Sequence, residues 1–320
     1  MEINNNGYSK NIIINIKKED AIQYKASIST YKNNELQVIL NNIQDVYKNE
    51  LFDANIDIII KFNFNKINED FFWLLLLLHW LKKYKIKSLN LILPYFPYTT
   101  KDLFLGIWNT QEKNTLKIST DNSVLQMLEG SGITSIKVFD IWNLYIQNYS
   151  NIYVQNIKKN DIFINEFDFF KKTTKRIHII ALNQDDYVLL KKEIWHKDNI
   201  NILYLDEDIS LKTKNDQISL LSKLKDNTNK SIIYIFDKII IRWGKIYTLA
   251  NLISKNLDVK ELNLCITHWI FAYWTHNKFN TLIERYPFIN IITTDSLFAY
   301  NKKLNDINTE IIKLNLLDKK

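Results

Sequence analysis

The sequence predicts an α/β protein of two tandem lobes with mainly parallel sheets. Three observations predict it: short β-rich runs alternate with helix-length segments along the whole chain, the alternation occurs both before and after about residue 150, and 320 residues suit roughly two domains. The expected strands are 11–16, 57–64, 88–93, 134–140, 176–182, 201–206, 231–237, 261–266 and 289–293. The expected helices are 68–84, 115–129, 185–197, 216–225, 244–256 and 276–286. The lobes are therefore read as 1–150 and 151–320, with a last helix or strand free to return to the first lobe. No low-complexity linker separates them. In such sheets ligands bind beyond the carboxyl ends of the strands, so the residues that end each strand are the ones to inspect.

Composition narrows the class. Hydrophobic residues make up 46% and charged residues 24%, which is ordinary for a globular chain and excludes disorder. The richness in Ile, Asn and Lys, with only 5 Gly and 3 Pro, reads as nucleotide bias in the coding DNA and weakens any single Lys or Asn as a signal. Net charge is +7, but the 42 Lys and Arg are scattered among 35 acids and nearly all are Lys. Base and phosphate forks favour Arg, so nucleic-acid binding is not expected. Cys265 is the single cysteine, which rules out an intrachain disulfide and a cysteine-based zinc site. Its place in an apolar run reads as a buried strand thiol. The N-terminal residues lack a signal-peptide core, and the most hydrophobic segment, 71–81, is too short to span a bilayer. That segment reads as a wholly buried helix, and the expected setting is cytoplasmic with no membrane partner.

Residues 232–257 carry the most information. An apolar run from Ile232 to Phe236 ends in Asp237 and Lys238. A turn with Arg242, Trp243, Gly244 and Lys245 follows, then apolar residues at helical spacing. Strand, turn and helix in that order is where α/β proteins hold phosphates, on free N–H groups at a helix N-terminus. This turn has one glycine, beside a tryptophan. Asp237 also reads as a turn cap, and Arg242 with Lys245 as a solvated face.

Other strand ends are equally specific. Strand 88–93 runs into Pro94-Tyr95-Phe96-Pro97-Tyr98-Thr99-Thr100-Lys101-Asp102, a stiff turn with two prolines three apart. Strand 134–140 ends in Asp140-Ile141-Trp142-Asn143, strand 261–266 in Thr267-His268-Trp269-Ile270-Phe271, and strand 289–293 in Thr294-Asp295-Ser296. Taken in this order with 232–257, these endings resemble the ribose-phosphate pyrophosphokinases (PRPP synthetases) over almost the whole chain. The resemblance implies two phosphoribosyltransferase-like (Rossmann-like) lobes. It also implies transfer of the β,γ-diphosphate of ATP to the 1-hydroxyl of ribose 5-phosphate, with Mg²⁺.

Against that family the polar stations are altered. The ribose-phosphate loop, two acids, two apolar residues, an acid and then Thr-Gly-Gly-Thr, aligns with 237–245, leaving Asp237 and Gly244. Lys238 and Ile241 stand where acids are implied, and Trp243 would crowd the phosphate cradle. The implied metal-site histidine falls on Trp142, with Asn143 for a serine. Both arginines of the nucleotide segment are missing around Lys101 and Asp102. The implied diphosphate loop reads Leu182-Asn183-Gln184-Asp185-Asp186-Tyr187, and the implied basic catalytic loop reads Leu205-Asp206-Glu207-Asp208. Carboxylates there repel a diphosphate. Losing one preorganised contact typically costs about 2.7–4 kcal/mol of transition-state stabilisation. The expectation is a homologue without catalysis, acting as a regulatory or structural subunit. No catalytic residue, metal or cofactor is expected, and the partner is a homo-oligomer or a hetero-oligomer with an active family member. Two alternatives stay open: an active diphosphokinase using Mg²⁺ and ATP, and a nucleotide or sugar-phosphate sensor.

Overall fold

The computed structural model describes residues 12–17, 22–30, 36–40, 53–63, 66–98, 120–141, 146–194, 197–205, 214–224, 231–240, 244–269, 273–296 and 309–314. Two compact units divide it, the first within 1–157 and the second Lys158–Leu314. The first sheet has seven strands: β1 (Ile12–Lys17), β2 (Ile22–Thr30), β3 (Leu36–Leu40), β4 (Asn55–Ile60), β5 (Ser88–Leu93), β6 (Ser135–Phe139) and β7 (Tyr153–Ile157), in spatial order 3-2-1-4-5-6-7. β1 pairs antiparallel with both β2 and β4, and β2 with β3, while β4 to β7 pair parallel. Helices α1 (Ile67–Leu81) and α2 (Thr120–Gly130) belong to this unit.

The second sheet is parallel throughout. Its strands are β8 (Ile177–Ala181), β9 (Ile200–Tyr204), β10 (Ser231–Ile240), β11 (Val259–Trp269), β12 (Ile289–Thr294) and β13 (Thr309–Ile312), in order 13-12-11-10-8-9. Its helices are α3 (Lys159–Ile162), α4 (Ile164–Lys172), α5 (Gln184–Ile194), α6 (Lys214–Leu224), α7 (Gly244–Asn256) and α8 (Tyr273–Arg285). The α/β class with mainly parallel sheets is thus as the sequence predicts. The chain steps from β8 out to β9, returns across β8 to β10, and then proceeds outward the other way. The reversal lies between β8 and β10, which makes their carboxyl ends the switch point of the sheet.

Why β10 reads as a continuous apolar run is clear from its two faces. Ile233 and Ile235 join a core with Leu220, Leu249, Ile253 and Leu264. Tyr234 and Phe236 pack on the other side against Phe167 and Phe170 of α4, with ring centroids 4.8–6.2 Å apart for Phe170 on Tyr234 and on Phe236. A strand covered on both faces has no polar alternation to keep.

Two expectations are corrected. Helix 71–81 is not wholly buried: Trp73, Leu74, Leu77 and Leu78 are inside, but Phe72 is 54% and Leu76 38% exposed. A helix on one side of a sheet buries one stripe, and here the outward stripe is apolar too. Strand β10 does not stop at its first charges but runs through Asp237 and Lys238 to Ile240. Trp269, at the end of β11, lies in the core, 5.3 Å from Phe279 between ring centroids.

Candidate functional site

The switch point is built from β8, β10 and the start of α5. Ala181 of β8 lies in register with Phe236 of β10, and the Leu182 N–H donates to the Phe236 carbonyl at 3.4 Å. Beyond that bond the two chains diverge, β8 into α5 and β10 into Asp237 and Lys238. Asn183 is the N-cap of α5: its Oδ1 accepts the Asp186 N–H at 2.9 Å, while its Nδ2 donates to Asp186 Oδ2 at 2.6 Å. The cap thus satisfies one of the donors at the helix start.

Charge then closes on charge. Lys159 Nζ of α3 donates to Asp186 Oδ2 at 2.6 Å, with only 2% and 3% of the two side chains exposed. The same ammonium lies 6.0 Å from the centre of the Phe236 ring. From β10, buried Lys238 reaches Asp185 Oδ2 at 3.5 Å, while Asp185 stays half-exposed. Asp237 Oδ1 accepts the Lys238 N–H at 2.7 Å, so the strand end turns one carboxylate back on its own backbone. The two lysines and two helix-start carboxylates form two neighbouring ion pairs at the place where the topology directs a ligand. Its carboxylates face lysines instead of opening onto a shared cation, and among the described residues no group of three His, Cys, Asp or Glu is placed to hold a metal.

Of the expected ribose-phosphate residues, Asp237 and Lys238 meet at this point, and Gly244 starts α7 with Lys245 half-buried behind it. Arg242 and Trp243 lie outside the described residues. Lys159 was not singled out by the sequence, where it is one lysine among many.

Two strand ends of the first unit are described. After β5, Tyr95 and Phe96 are buried, and Tyr98 has a left-handed backbone with φ of 63°. The Tyr98 hydroxyl donates to Asn68 Oδ1 at 2.6 Å, its ring meets Phe71 edge-on, and its carbonyl accepts from Thr120 Oγ1 at 3.1 Å. Burial pushes its phenol pKa up. After β6, Asp140 has φ of 47° and is buried, with its N–H donating to the Ile157 carbonyl at 2.9 Å. Left-handed backbone at residues other than glycine is costly and collects at ligand sites and tight turns. Lys101, Asp102, Trp142 and Asn143 lie outside the described residues, as do Asp206 to Asp208.

At the ends of β11 and β12, His268 Nδ1 is 3.0 Å from Ser296 Oγ, and Thr294 Oγ1 donates to the Thr267 carbonyl at 2.6 Å. Asp295 Oδ1 accepts the Leu314 N–H at 2.9 Å. These bonds tie turns together. Cys265 is buried, and burial raises its thiol well above the ordinary range, so it is a strand residue and not a nucleophile.

No protein-family model matches the chain. The ribose-phosphate pyrophosphokinase of Aquifex aeolicus is 24% identical over 287 residues, covering 88% of this chain and 82% of that protein. That of Mycoplasmopsis pulmonis is 24% identical over 267 residues, covering 82% and 74%. In fold, the phosphoribosylpyrophosphate synthetase of Mycobacterium smegmatis superposes with a TM-score of 0.68 over 91% of this chain and 86% of its own, at 12% identity. No helix among the described residues is long and apolar enough to cross a membrane. By sequence similarity along most of both chains, and by fold, the chain is similar to the ribose-phosphate pyrophosphokinases.

Proposed function

We propose that this chain is a ribose-phosphate diphosphokinase homologue without catalysis, serving as a regulatory or structural subunit in phosphoribosyl diphosphate metabolism. Kinship with ribose-phosphate pyrophosphokinases supports the pathway. The observation that carries the loss of catalysis is the pair of ion pairs at the β8/β10 switch point, where Asp185 and Asp186 take up Lys238 and Lys159. A diphosphate arriving there meets the half-exposed Asp185 carboxylate beside Lys238, while Asp186 and Lys159 are paired and buried behind it. Neither ATP nor Mg²⁺ is needed for such a role. Its partner is a second copy or an active family member.

An active diphosphokinase is the competing reading, favoured by the left-handed backbone at Tyr98 and Asp140. Incubating purified protein with ATP, Mg²⁺ and ribose 5-phosphate separates the two. The proposal expects phosphoribosyl diphosphate formation at least about 10³-fold below that of an active relative assayed alongside, given that one lost electrostatic contact already costs about 10²–10³. Turnover in the common enzyme range of about 1–10³ s⁻¹ overturns it. A regulatory role further expects that adding the protein to the active relative changes the relative's rate.

A further inference from the structure

The far edge of the second sheet offers a surface that the switch point does not use. Strand β9, Ile200-Asn201-Ile202-Leu203-Tyr204, is the last strand on its side and pairs with β8 alone among the described residues. In a parallel strand the N–H and C=O of one residue point to the same side, and successive residues alternate. The Leu205 N–H donates to the Ala181 carbonyl at 3.0 Å, and the Asn199 carbonyl accepts the Ile177 N–H at 3.0 Å, so odd-numbered residues face β8. The N–H and C=O of Ile202 therefore point outward.

Edge strands of this kind are usually blunted by a charge, a proline or a bulge in the strand itself. β9 has none of these: its five residues are uncharged, and its register with β8 is regular. Beside it runs a groove of about 710 Å³, lined by Ile194, Ile200, Asn201 and Ile202 with Lys191 and Lys192 of α5. Both lysines are exposed, and Lys191 Nζ sits 4.9 Å from the centre of the Tyr187 ring. The surface thus combines an outward backbone pair, an apolar floor and a positive wall. A second copy docked edge to edge would bring four lysines into one groove, which like-charge repulsion opposes.

The geometry points to the β9 edge as a strand-addition site that takes an extended acidic segment of a partner protein, one alternating carboxylates with apolar residues. Backbone bonds to Ile202 supply register, the side chains turned to the groove put carboxylates against Lys191 and Lys192, and the alternate apolar residues lie on the opposite face, the side of Leu203. The site stands independently of whether the protein catalyses anything.

Fluorescence anisotropy with a labelled heptapeptide alternating glutamate and valine tests it on the full chain. Binding is expected, weakening as salt rises. Ile202→Pro removes the outward donor without touching the β8 ladder and should weaken binding about tenfold. Lys191→Glu with Lys192→Glu should weaken it to a similar degree, about tenfold, and favour the matching lysine–valine peptide. Should Ile202→Pro fail to fold, the same peptide N-methylated at alternate amides makes the test on the unaltered protein and should bind at least about tenfold more weakly. The inference is overturned by no binding at millimolar peptide, by equal binding of the N-methylated peptide, by equal binding of the lysine–valine peptide to unaltered protein, or by tighter binding of a single-stranded oligo-dT.

Discussion

The two sheets differ in one respect that decides where a ligand can sit. In the first, the parallel strands β4 to β7 follow one another in space as in sequence, and no reversal opens a crevice among them. In the second, the order reverses between β8 and β10, and Lys159, Asp186, Lys238 and Asp185 pair beside that reversal. The first unit has left-handed backbone at two strand ends, at Tyr98 and Asp140, whereas the second has paired charges on an ordinary strand-to-helix path. Backbone shape and charge chemistry are thus separable at strand ends. A sheet holds the place of a site through its topology, and the side chains alone decide whether an anion enters.

Breaking the buried pair should have the largest effect. Lys159→Met leaves the Asp186 carboxylate buried with the Asn183 amide against it and no ammonium, and urea denaturation should show a loss of about 3–5 kcal/mol. Adding Asp186→Leu should recover most of it. A loss below about 1 kcal/mol would mean that the pair is open to water. The backbone of the first unit comes next. Asp140→Ala puts a residue less tolerant of φ near 47° into the same turn and should cost roughly 1–2 kcal/mol, with Asp140→Gly costing less than Asp140→Ala. Equal costs for the two would show that the side chain and not the backbone matters there.

A pH experiment sharpens the contrast between buried and paired carboxylates. Desolvation raises the pKa of Glu166, which hydrogen-bonds Tyr234 and is repelled by Glu310 and Glu261. Tyr234 is raised in turn, first by burial and then by Glu166. A folded-state pKa above the unfolded one means that the folded protein binds more protons across the interval between them. Glu166 therefore contributes stability that is complete below the ordinary carboxylate range and lost as pH rises through its raised folded value. Glu166→Gln should flatten the stability profile in that interval, and an unchanged slope contradicts the assignment. Smallest of all is Asp185→Asn. With Asp185 55% exposed and 3.5 Å from Lys238, the change should move stability by less than about 1 kcal/mol.

Much of the fold was legible because burial writes itself into sequence as apolar runs. β5 and α7 fall on 88–93 and 244–256 as expected, and β8, β10, β11 and β12 are each within a few residues of expectation. The missed elements lack that mark. β7, Tyr-Val-Gln-Asn-Ile, is an edge strand with no buried residue, and β13 is four residues long. α4 is rich in phenylalanine, a modest helix former, and its helicity comes from packing on Tyr234 and Phe236. β2 and β3 are antiparallel strands with mixed polar and apolar residues and no turn glycine between them. At the site, the altered charges at Lys238, Asp185 and Asp186 were visible in sequence, but their partners were not. Lys238 looked like a strand terminator because its acid lies 53 residues away, and nothing distinguishes Lys159 from its neighbours until α3 brings it to Asp186.

The central claim is that the chain's own carboxylates occupy the anion position of the second sheet. Calorimetric titration of the purified protein with inorganic pyrophosphate tests it most directly. No saturable heat is expected at pyrophosphate concentrations into the millimolar range. Saturable binding at micromolar concentration, weakened by Lys238→Ala, would contradict it.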